Sequence, residues 1–244
     1  EAMEPMLRPG VAAALYAPTT GTVNPWQLGI AACENALANG AEILLNTEVL
    51  GIRAADGGYV VQTGETAFFC RTVFNCAGLC ADRVQELLFA PSVRLELDAA
   101  EYLVFDTHTP KPEHVIFLQA ETCGKGITAI PCTEGNLLIS GIRKPLTEPF
   151  GTTLEGLQEL HMATKALLPE VDSSLVIRSF GAVRPNPHKA DGSSIHDFCI
   201  EQPSPTFISF IGIKTPGLTA SNELGLLLAQ KAAAYQEAAE NNAF

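Results

Sequence analysis

Two segments of the chain combine an apolar strand pattern, a glycine-bearing turn and the start of a helix. They cover residues 73–82 and 210–220. The order strand, turn, helix is typical of α/β sheets that bind nucleotides, because small residues let backbone N–H groups approach a phosphate or a ribose. Taken alone, the first segment fits a tight turn without a ligand equally well. The second also fits a capped loop with Thr219 or Ser221 near the helix start.

The chain ahead of these segments alternates helix and strand signals. Asn24 is a favourable N-cap, Pro25 suits the first helical position and Asn39-Gly40 is a stop signal, so these residues predict a helix. Asp56-Gly57-Gly58 predicts a hairpin turn. The predicted strands are residues 42–52, 59–63 and 67–74, and a helix over residues 81–89 follows them.

The pattern changes after Pro91, where strands follow one another without helices between them. This arrangement favours an antiparallel sheet in a second unit. The predicted strands of that unit are residues 94–106, 114–118, 126–130 and 136–141. The remaining predicted elements are a helix over 153–168, a strand over 173–180, a strand pair at 198–201 and 206–211, and a helix over 218–239.

The charge of the chain restricts its partners. The formal net charge is −12, and an acidic chain repels nucleic acid and anionic membrane surfaces, so neither is an expected partner. No apolar run approaches the roughly 20 residues of a membrane span. We therefore expect no transmembrane segment. The expectation of a cytoplasmic protein comes from the cysteines.

The cysteines indicate reduced thiols. There are seven, an odd number, and no CxxC motif occurs, which is typical of a reducing compartment. Cys76 and Cys80 have a spacing that suits a metal on a helix, and they are also small enough to pack at a strand-to-helix turn. The second interpretation is favoured, so no metal site is predicted.

Arg184 is a candidate for binding an anion. It lies in Gly181-Ala182-Val183-Arg184-Pro185, at the end of a predicted strand. A guanidinium can donate two parallel hydrogen bonds to a carboxylate or a phosphate. The alternative role for Arg184 is a surface salt bridge.

A catalytic base is not identifiable from the sequence. None of the five histidines has the spacing of a metal site. His188 and His196 flank the loop after Arg184 and are candidates for a substrate entrance. The GxSxG motif of serine hydrolases does not occur.

Taken in order, these motifs resemble FAD-dependent oxidoreductases of the D-amino-acid oxidase and glycerol-3-phosphate dehydrogenase superfamily. The similarity is greatest to the bacterial glycerol-3-phosphate dehydrogenase and L-2-hydroxyglutarate oxidase branches. The matching segments are residues 15–25, 34–40, 45–49, 74–82, 124–126, 135–139, 181–185, 197–200 and 212–220.

The resemblance implies a role for each matching segment. Val49 would contact the adenosine of FAD through its backbone, and Asn75, Ala77 and Gly78 would line the adenosine and pyrophosphate. The segment Gly212, Ile213, Lys214, Gly217, Leu218 and Thr219 would surround the flavin ring. In it, the N–H groups of Gly217, Leu218 and Thr219 would donate hydrogen bonds, and Lys214 would add a positive charge. Arg184 would hold the acid group of a small anionic substrate, and residues 94–143 would form a sheet over the flavin.

One part of the family pattern is missing. The family begins with a strand and a GxGxxG phosphate loop, whereas the only Gly-x-Gly here is residues 124–126, outside a strand-turn-helix pattern. We therefore expect a chain that lacks its N-terminal FAD-binding segment. By itself it would hold no FAD and would associate through the exposed edge at residues 75–78.

The resulting prediction is an α+β fold. It has an antiparallel substrate-binding sheet with flanking helices, and the C-terminal remnant of an α/β, Rossmann-like FAD-binding domain. Residues 1–90 would be the FAD-domain remnant with an entry segment of the substrate domain. Residues 91–185 would form the substrate-binding domain, and residues 186–244 would return to the FAD domain.

The leading functional hypothesis is part of an FAD-dependent enzyme that transfers a hydride from glycerol 3-phosphate or a 2-hydroxy acid to flavin. The alternative from another class is a non-catalytic module that binds a metabolite or a protein partner. A nicotinamide-dependent enzyme is a third hypothesis, which the lack of a phosphate loop disfavours.

Overall fold

The structure is a computed structural model that describes residues 3–119, 126–146 and 150–241. The chain forms two compact units. Unit 1 comprises Glu1–Ala41 and Asp98–Val183, and unit 2 comprises Glu42–Leu97 and Arg184–Phe244. The unit boundaries fall near residues 41, 97 and 183. The predicted division at residues 90 and 185, and the functional labels given to the three predicted segments, remain predictions.

Helices and strands are distributed over both units. The helices are α1 (Pro25–Ala38), α2 (Ala81–Glu86), α3 (Leu154–Leu167) and α4 (Gly217–Asn241), with 3-10 turns at Gly78–Cys80 and Ser173–Leu175. The strands are β1 (Gly51–Ala55), β2 (Gly58–Gln62), β3 (Ala67–Cys70), β4 (Val73–Asn75), β5 (Val93–Phe105), β6 (Ile116–Phe117), β7 (Thr128–Pro131), β8 (Leu137–Pro145), β9 (Val176–Lys189), β10 (Cys199–Ser204) and β11 (Phe207–Ile211).

Unit 1 is built on a five-stranded sheet in the order β6-β7-β8-β5-β9. The pairs from β6 to β5 are antiparallel, as predicted for the second unit. Helix α3 packs on one face of this sheet. The buried core between them includes Leu103, Phe105, Ile139 and Leu160.

Unit 2 contains two three-stranded sheets, ordered β1-β2-β3 and β10-β11-β4. Strands β11 and β4 are parallel neighbours, whereas β10 and β11 are antiparallel. A turn and a helix follow each of the two parallel strands, α2 after β4 and α4 after β11. Both turns therefore lie at the carboxyl ends of adjacent parallel strands.

The predicted α+β class is confirmed, and several of its elements differ in detail. Helix α1 begins as predicted, because the Asn24 side chain accepts hydrogen bonds from the N–H groups of Trp26 and Gln27. The predicted strand over 42–52 is wrong, since β1 begins only at Gly51. Asn46 adopts a left-handed conformation, with φ +53°, which interrupts an extended run.

The predicted single strand over 67–74 is also wrong. Its two halves pair in different sheets, β3 with β2 and β4 with β11. The predicted strand over 173–180 is too short, because β9 extends to Lys189. Arg184 therefore lies inside a strand. Two prolines are accommodated there because β9 is an edge strand of its sheet.

Helix α4, the longest helix that the structure describes, spans 25 residues. Across residues 3–119, 126–146 and 150–241, no helix has the length and apolarity that a bilayer span requires.

Candidate functional site

The turn after β4 is organised by the Asn75 side chain. Its amide nitrogen donates to the Ala81 carbonyl oxygen at 2.7 Å and lies 3.0 Å from the Ser209 hydroxyl on β11. Its amide oxygen accepts from the Ala77 N–H at 3.2 Å. Asn75 is buried, so its side chain ties β4 to β11 and to α2. The part of the turn left for a ligand is its exposed backbone.

That exposed backbone is formed by Ala77 and Gly78. Gly78 has a φ of +57°, and a Cβ at this position would meet no heavy atom within 4 Å. A positive φ favours glycine, so the backbone conformation of the turn explains the glycine at position 78. The space outside the turn is open. Such a turn can bring N–H groups close to a phosphate or a ribose.

The loop after β11 contains two glycines at which a side chain would collide with a neighbouring residue. Gly212 has a φ of +69°, and a Cβ there would lie 2.7 Å from the Pro187 ring. A Cβ at Gly217 would lie 2.6 Å from Cγ2 of Ile213. The close approach of Ile213 explains why a side chain is not accommodated at Gly217.

The first turn of α4 corrects one predicted donor. The Gly217 N–H donates to the Lys214 carbonyl, and the first bond of the regular helix runs from the Ala220 N–H to the Pro216 carbonyl at 3.1 Å. Leu218 and Thr219 lie in the first turn, where N–H groups have no acceptor inside the helix. The Gly217 N–H is therefore already bonded within the loop, and the donor roles of Leu218 and Thr219 remain predictions.

Lys214 is partly buried beside the same loop. Its Nζ donates to the Ile195 carbonyl at 3.4 Å, so the ammonium is held within unit 2. It also lies near the Cys199 thiol. Burial is the main cause that raises the pKa of this thiol, the Glu201 charge raises it further, and Lys214 opposes both.

Val49 and Arg184 occupy different environments. Val49 is partly buried and packs against the cluster of Ile52, Tyr59 and Phe207, so its side chain is structural and only its backbone is left for the predicted contact. Arg184 is partly buried in β9, and its carbonyl accepts from the Asn186 side chain at 3.4 Å.

The histidines do not supply a clear catalytic base. His188 Nδ1 lies 3.0 Å from the Asn186 carbonyl, and its Nε2 lies 2.9 Å from the Ser194 hydroxyl. The same Nε2 lies 3.5 Å from Oε2 of Glu96 on β5, so both ring nitrogens are engaged. His196 is exposed.

Among the residues that the structure describes, no three potential metal ligands lie close enough together to share an ion. Partial burial raises the pKa of the Cys76 thiol, which opposes the thiolate form that a metal requires.

A cavity of about 640 Å³ lies in unit 2. Its lining includes Ser92, Cys199 and Glu201. None of the predicted site residues lines it, but Ile195, whose carbonyl accepts from Lys214, does.

The described part of unit 2 fits a nucleotide cofactor. Two turns lie at the carboxyl ends of adjacent parallel strands, which is where open α/β sheets bind ligands. One turn has an exposed glycine with open space around it, and the other leads into the first turn of α4. Both offer backbone N–H groups, the donors that phosphates and flavin carbonyls require. This arrangement is typical of α/β domains that bind nucleotides.

Comparison with known proteins identifies the family. The sequence model of the FAD dependent oxidoreductase family matches residues 1–231, and the chain belongs to this family. FAD is the cofactor of the family, which confirms the cofactor prediction at that level.

Individual relatives agree with this assignment. The chain is 31% identical over 229 residues to a glycerol 3-phosphate dehydrogenase of Caloramator mitchellensis, covering 92% of this chain and 46% of that protein. It resembles the dithionite-reduced, FAD-bound L-alpha-glycerophosphate oxidase of Mycoplasma pneumoniae, with a TM-score of 0.68 and 25% identity over 82% of this chain and 52% of that one. A glycine oxidase from Geobacillus kaustophilus shares the fold, with a TM-score of 0.67 and 23% identity over 83% of this chain and 52% of that one. The chain thus spans about half the length of the curated relatives that it matches, from 46% to 58%.

We expect Gly217→Val to lower flavin occupancy in the FAD-loaded protein that contains this chain. The new side chain would collide with Ile213, and relieving the collision must move the loop that leads into α4. The measurement is the ratio of flavin to protein absorbance after dialysis. Gly225→Val is the matched control, because a Cβ at Gly225 in the same helix meets nothing within 4 Å. Full occupancy in Gly217→Val would exclude the loop from flavin binding.

Proposed function

We propose that the protein containing this chain oxidises glycerol 3-phosphate or a closely related small anion in an FAD-dependent reaction. The observation that carries this proposal is the 31% identity to a glycerol 3-phosphate dehydrogenase over 92% of the chain. The predicted anion-binding arginine, Arg184, is present in the described part of the chain. A phosphate or carboxylate substrate requires such a group in a chain with a net charge of −12.

Each candidate residue has one task in this proposal. Arg184 binds the acid group of the substrate and fixes its orientation. The turn at Ala77 and Gly78 and the first turn of α4, with Leu218 and Thr219, supply backbone donors to FAD. When bound, FAD would supply the acceptor for the hydride that leaves the substrate carbon. The positive end of α4 favours negative charge that develops next to it.

We expect Lys214→Met to lower the flavin reduction potential without changing the fold. A cation near the flavin stabilises its reduced, negatively charged form, so removing the cation makes reduction less favourable. A lost stabilisation of about 1.4 kcal/mol corresponds to about 30 mV in a two-electron couple. Potentiometric titration measures the shift. An unchanged potential would exclude Lys214 from tuning the flavin and leave it a structural role, such as its bond to the Ile195 carbonyl.

The experiment that tests the proposed function is a substrate comparison with the FAD-loaded protein. Glycerol 3-phosphate, 2-hydroxyglutarate and glycine are supplied in turn, with an artificial electron acceptor to report turnover. The proposal expects the highest kcat/KM for glycerol 3-phosphate. Preference for glycine would assign an amino-acid oxidase activity. Flavin loading without turnover of any substrate would favour the binding-module alternative.

A further inference from the structure

A short hairpin at the end of β9 lies next to the loop after β11. It comprises residues 187–195, and we call it the β9 hairpin. Hydrogen bonds join its two arms, from the Lys189 N–H to the Ser193 carbonyl at 2.9 Å and from the Ile195 N–H to the Pro187 carbonyl at 2.8 Å. The hairpin and the loop after β11 both belong to unit 2, so their contacts lie within one compact unit.

The β9 hairpin contacts the loop after β11 at both of its ends. The Ile195 carbonyl accepts a hydrogen bond from Nζ of Lys214 at 3.4 Å. At the other end, the Pro187 ring lies 2.7 Å from the position that a Cβ on Gly212 would take. The family resemblance places this loop around the flavin. The hairpin therefore supplies one of the groups that hold the Lys214 ammonium beside the predicted flavin position.

The His188 side chain links the two arms of the hairpin. A carbonyl oxygen can only accept, so Nδ1 carries the hydrogen that is donated to the Asn186 carbonyl at 3.0 Å. In the neutral ring, Nε2 then accepts from the Ser194 hydroxyl at 2.9 Å. Glu96 on β5 faces the same nitrogen at 3.5 Å. The His188 side chain is only 14% exposed, so the ring is held in place and fixes the arm that carries Ser194.

The β9 hairpin has open space on its other side. Ala190, Asp191 and Ile195 line the cavity of about 640 Å³, so the arm that carries Ile195 has room to move away from the loop. The link between His188 and Ser194 opposes this movement one residue before Ile195. Breaking the link lets the Ile195 carbonyl move away from Lys214.

We propose that His188 is a positioning residue for Lys214, because it fixes the β9 hairpin whose Ile195 carbonyl holds the ammonium near the flavin. This inference rests on the proposed function and deepens it. An ammonium at a fixed position stabilises developing negative charge without reorganisation. A mobile ammonium spends part of its time in water, where salt screens its charge. His188 thus acts through Ile195 and has no direct part in hydride transfer.

The test is a double-mutant cycle on the flavin reduction potential of the FAD-loaded protein that contains this chain. His188→Ala, Lys214→Met and the double variant are compared with wild type by potentiometric titration. We expect His188→Ala to lower the equilibrium constant for two-electron reduction about threefold, which corresponds to about 15 mV. In the Lys214→Met background the same substitution should not change the potential, because the group that His188 positions is gone.

Further variants separate the hydrogen bond from folding. His188→Gln keeps an acceptor for the Ser194 hydroxyl and should have a potential close to that of wild type. His196→Ala removes an exposed histidine that follows Ile195 directly, and it should leave the potential unchanged. Thermal unfolding is recorded for every variant. If His188→Ala does not fold, Ser194→Ala takes its place in the cycle, since it breaks the same bond by removing only a hydroxyl.

The outcomes distinguish this inference from the function on which it rests. An equal shift from His188→Ala with and without Lys214 would overturn the inference, because His188 would then act independently of the ammonium. An unchanged potential in both His188→Ala and Ser194→Ala, or in Lys214→Met, would overturn it as well. The flavin potential can be titrated without any substrate, so failure to oxidise glycerol 3-phosphate would overturn the proposed function separately.

Discussion

Arg184→Ala in the FAD-loaded protein should weaken substrate binding by roughly 30-fold to several thousand-fold while leaving flavin occupancy unchanged. Removing one side of a charged, hydrogen-bonded pair in a desolvated site costs about 2–5 kcal/mol, which corresponds to that range of affinity. The substrate dissociation constant, measured by titrating the flavin absorbance with a competitive phosphate ester, gives the result.

Strand β9 supplies a matched control for this arginine. Arg178 lies on the same strand and is exposed, so Arg178→Ala removes an equal charge without touching the partly buried position. We expect its effect on substrate affinity to stay within about twofold, as for a surface charge. If both variants lose a similar amount of substrate affinity, the effect comes from the change in net charge. If Arg184→Ala stays within a few-fold of wild type, Arg184 is structural.

Gly156→Ala should destabilise the protein by about 3 kcal/mol, although alanine is normally favoured over glycine in a helix. Gly156 lies in the first turn of α3, and a Cβ there would contact Oε2 of Glu101 and lie 2.5 Å from its Cδ. The carboxylate is buried and held by Thr153, so it can move aside only by breaking those bonds. Hydrogen bonds to a charged group contribute about 1.5–3 kcal/mol. The midpoint of thermal unfolding should fall by roughly 6–12 °C.

The control for Gly156→Ala is Gly29→Ala in α1. A Cβ at Gly29 meets nothing within 4 Å, so only the helix propensity changes. This variant should be more stable than wild type by about 0.5–1 kcal/mol. Equal destabilisation of both variants would show that the Glu101 carboxylate does not restrict the first turn of α3.

The sequence predicted those features of the fold that depend on neighbouring residues. Asn24 and Pro25 start α1 because a cap and a fixed φ act within one turn. The hairpin of β1 and β2 follows from its glycine turn, where Gly57 has a φ of +71°. The two strand-turn-helix segments were recognisable for the same reason, and they proved to contain the parallel pair of strands.

Features that depend on distant residues were not predictable from the sequence. The apolar run over 67–74 looks continuous, and only pairing with β2 on one side and β11 on the other divides it. Glu101 and Thr153 are 52 residues apart, and no local pattern links a strand glutamate to that helix cap. The Tyr102 and Phe180 rings stack with their centroids 4.7 Å apart, and this contact likewise depends on which strands become neighbours.

The candidate site was predictable in part. Backbone roles followed from glycines at the ends of strands. The assignment of Arg184 depended on the family resemblance, because an isolated arginine in a strand is ordinarily a surface residue. The engagement of the Gly217 N–H by the Lys214 carbonyl follows from the conformation of the loop, which the sequence does not specify.

Anaerobic reduction of the bound flavin by glycerol 3-phosphate is the most direct test of the proposed function. The FAD-loaded protein that contains this chain is mixed with glycerol 3-phosphate in the absence of oxygen, and the visible absorbance of the oxidised flavin is followed. We expect complete bleaching by stoichiometric substrate, and markedly slower bleaching in Arg184→Ala at the same concentration. A flavin that stays oxidised with excess glycerol 3-phosphate, yet is bleached by dithionite, would contradict the proposed function.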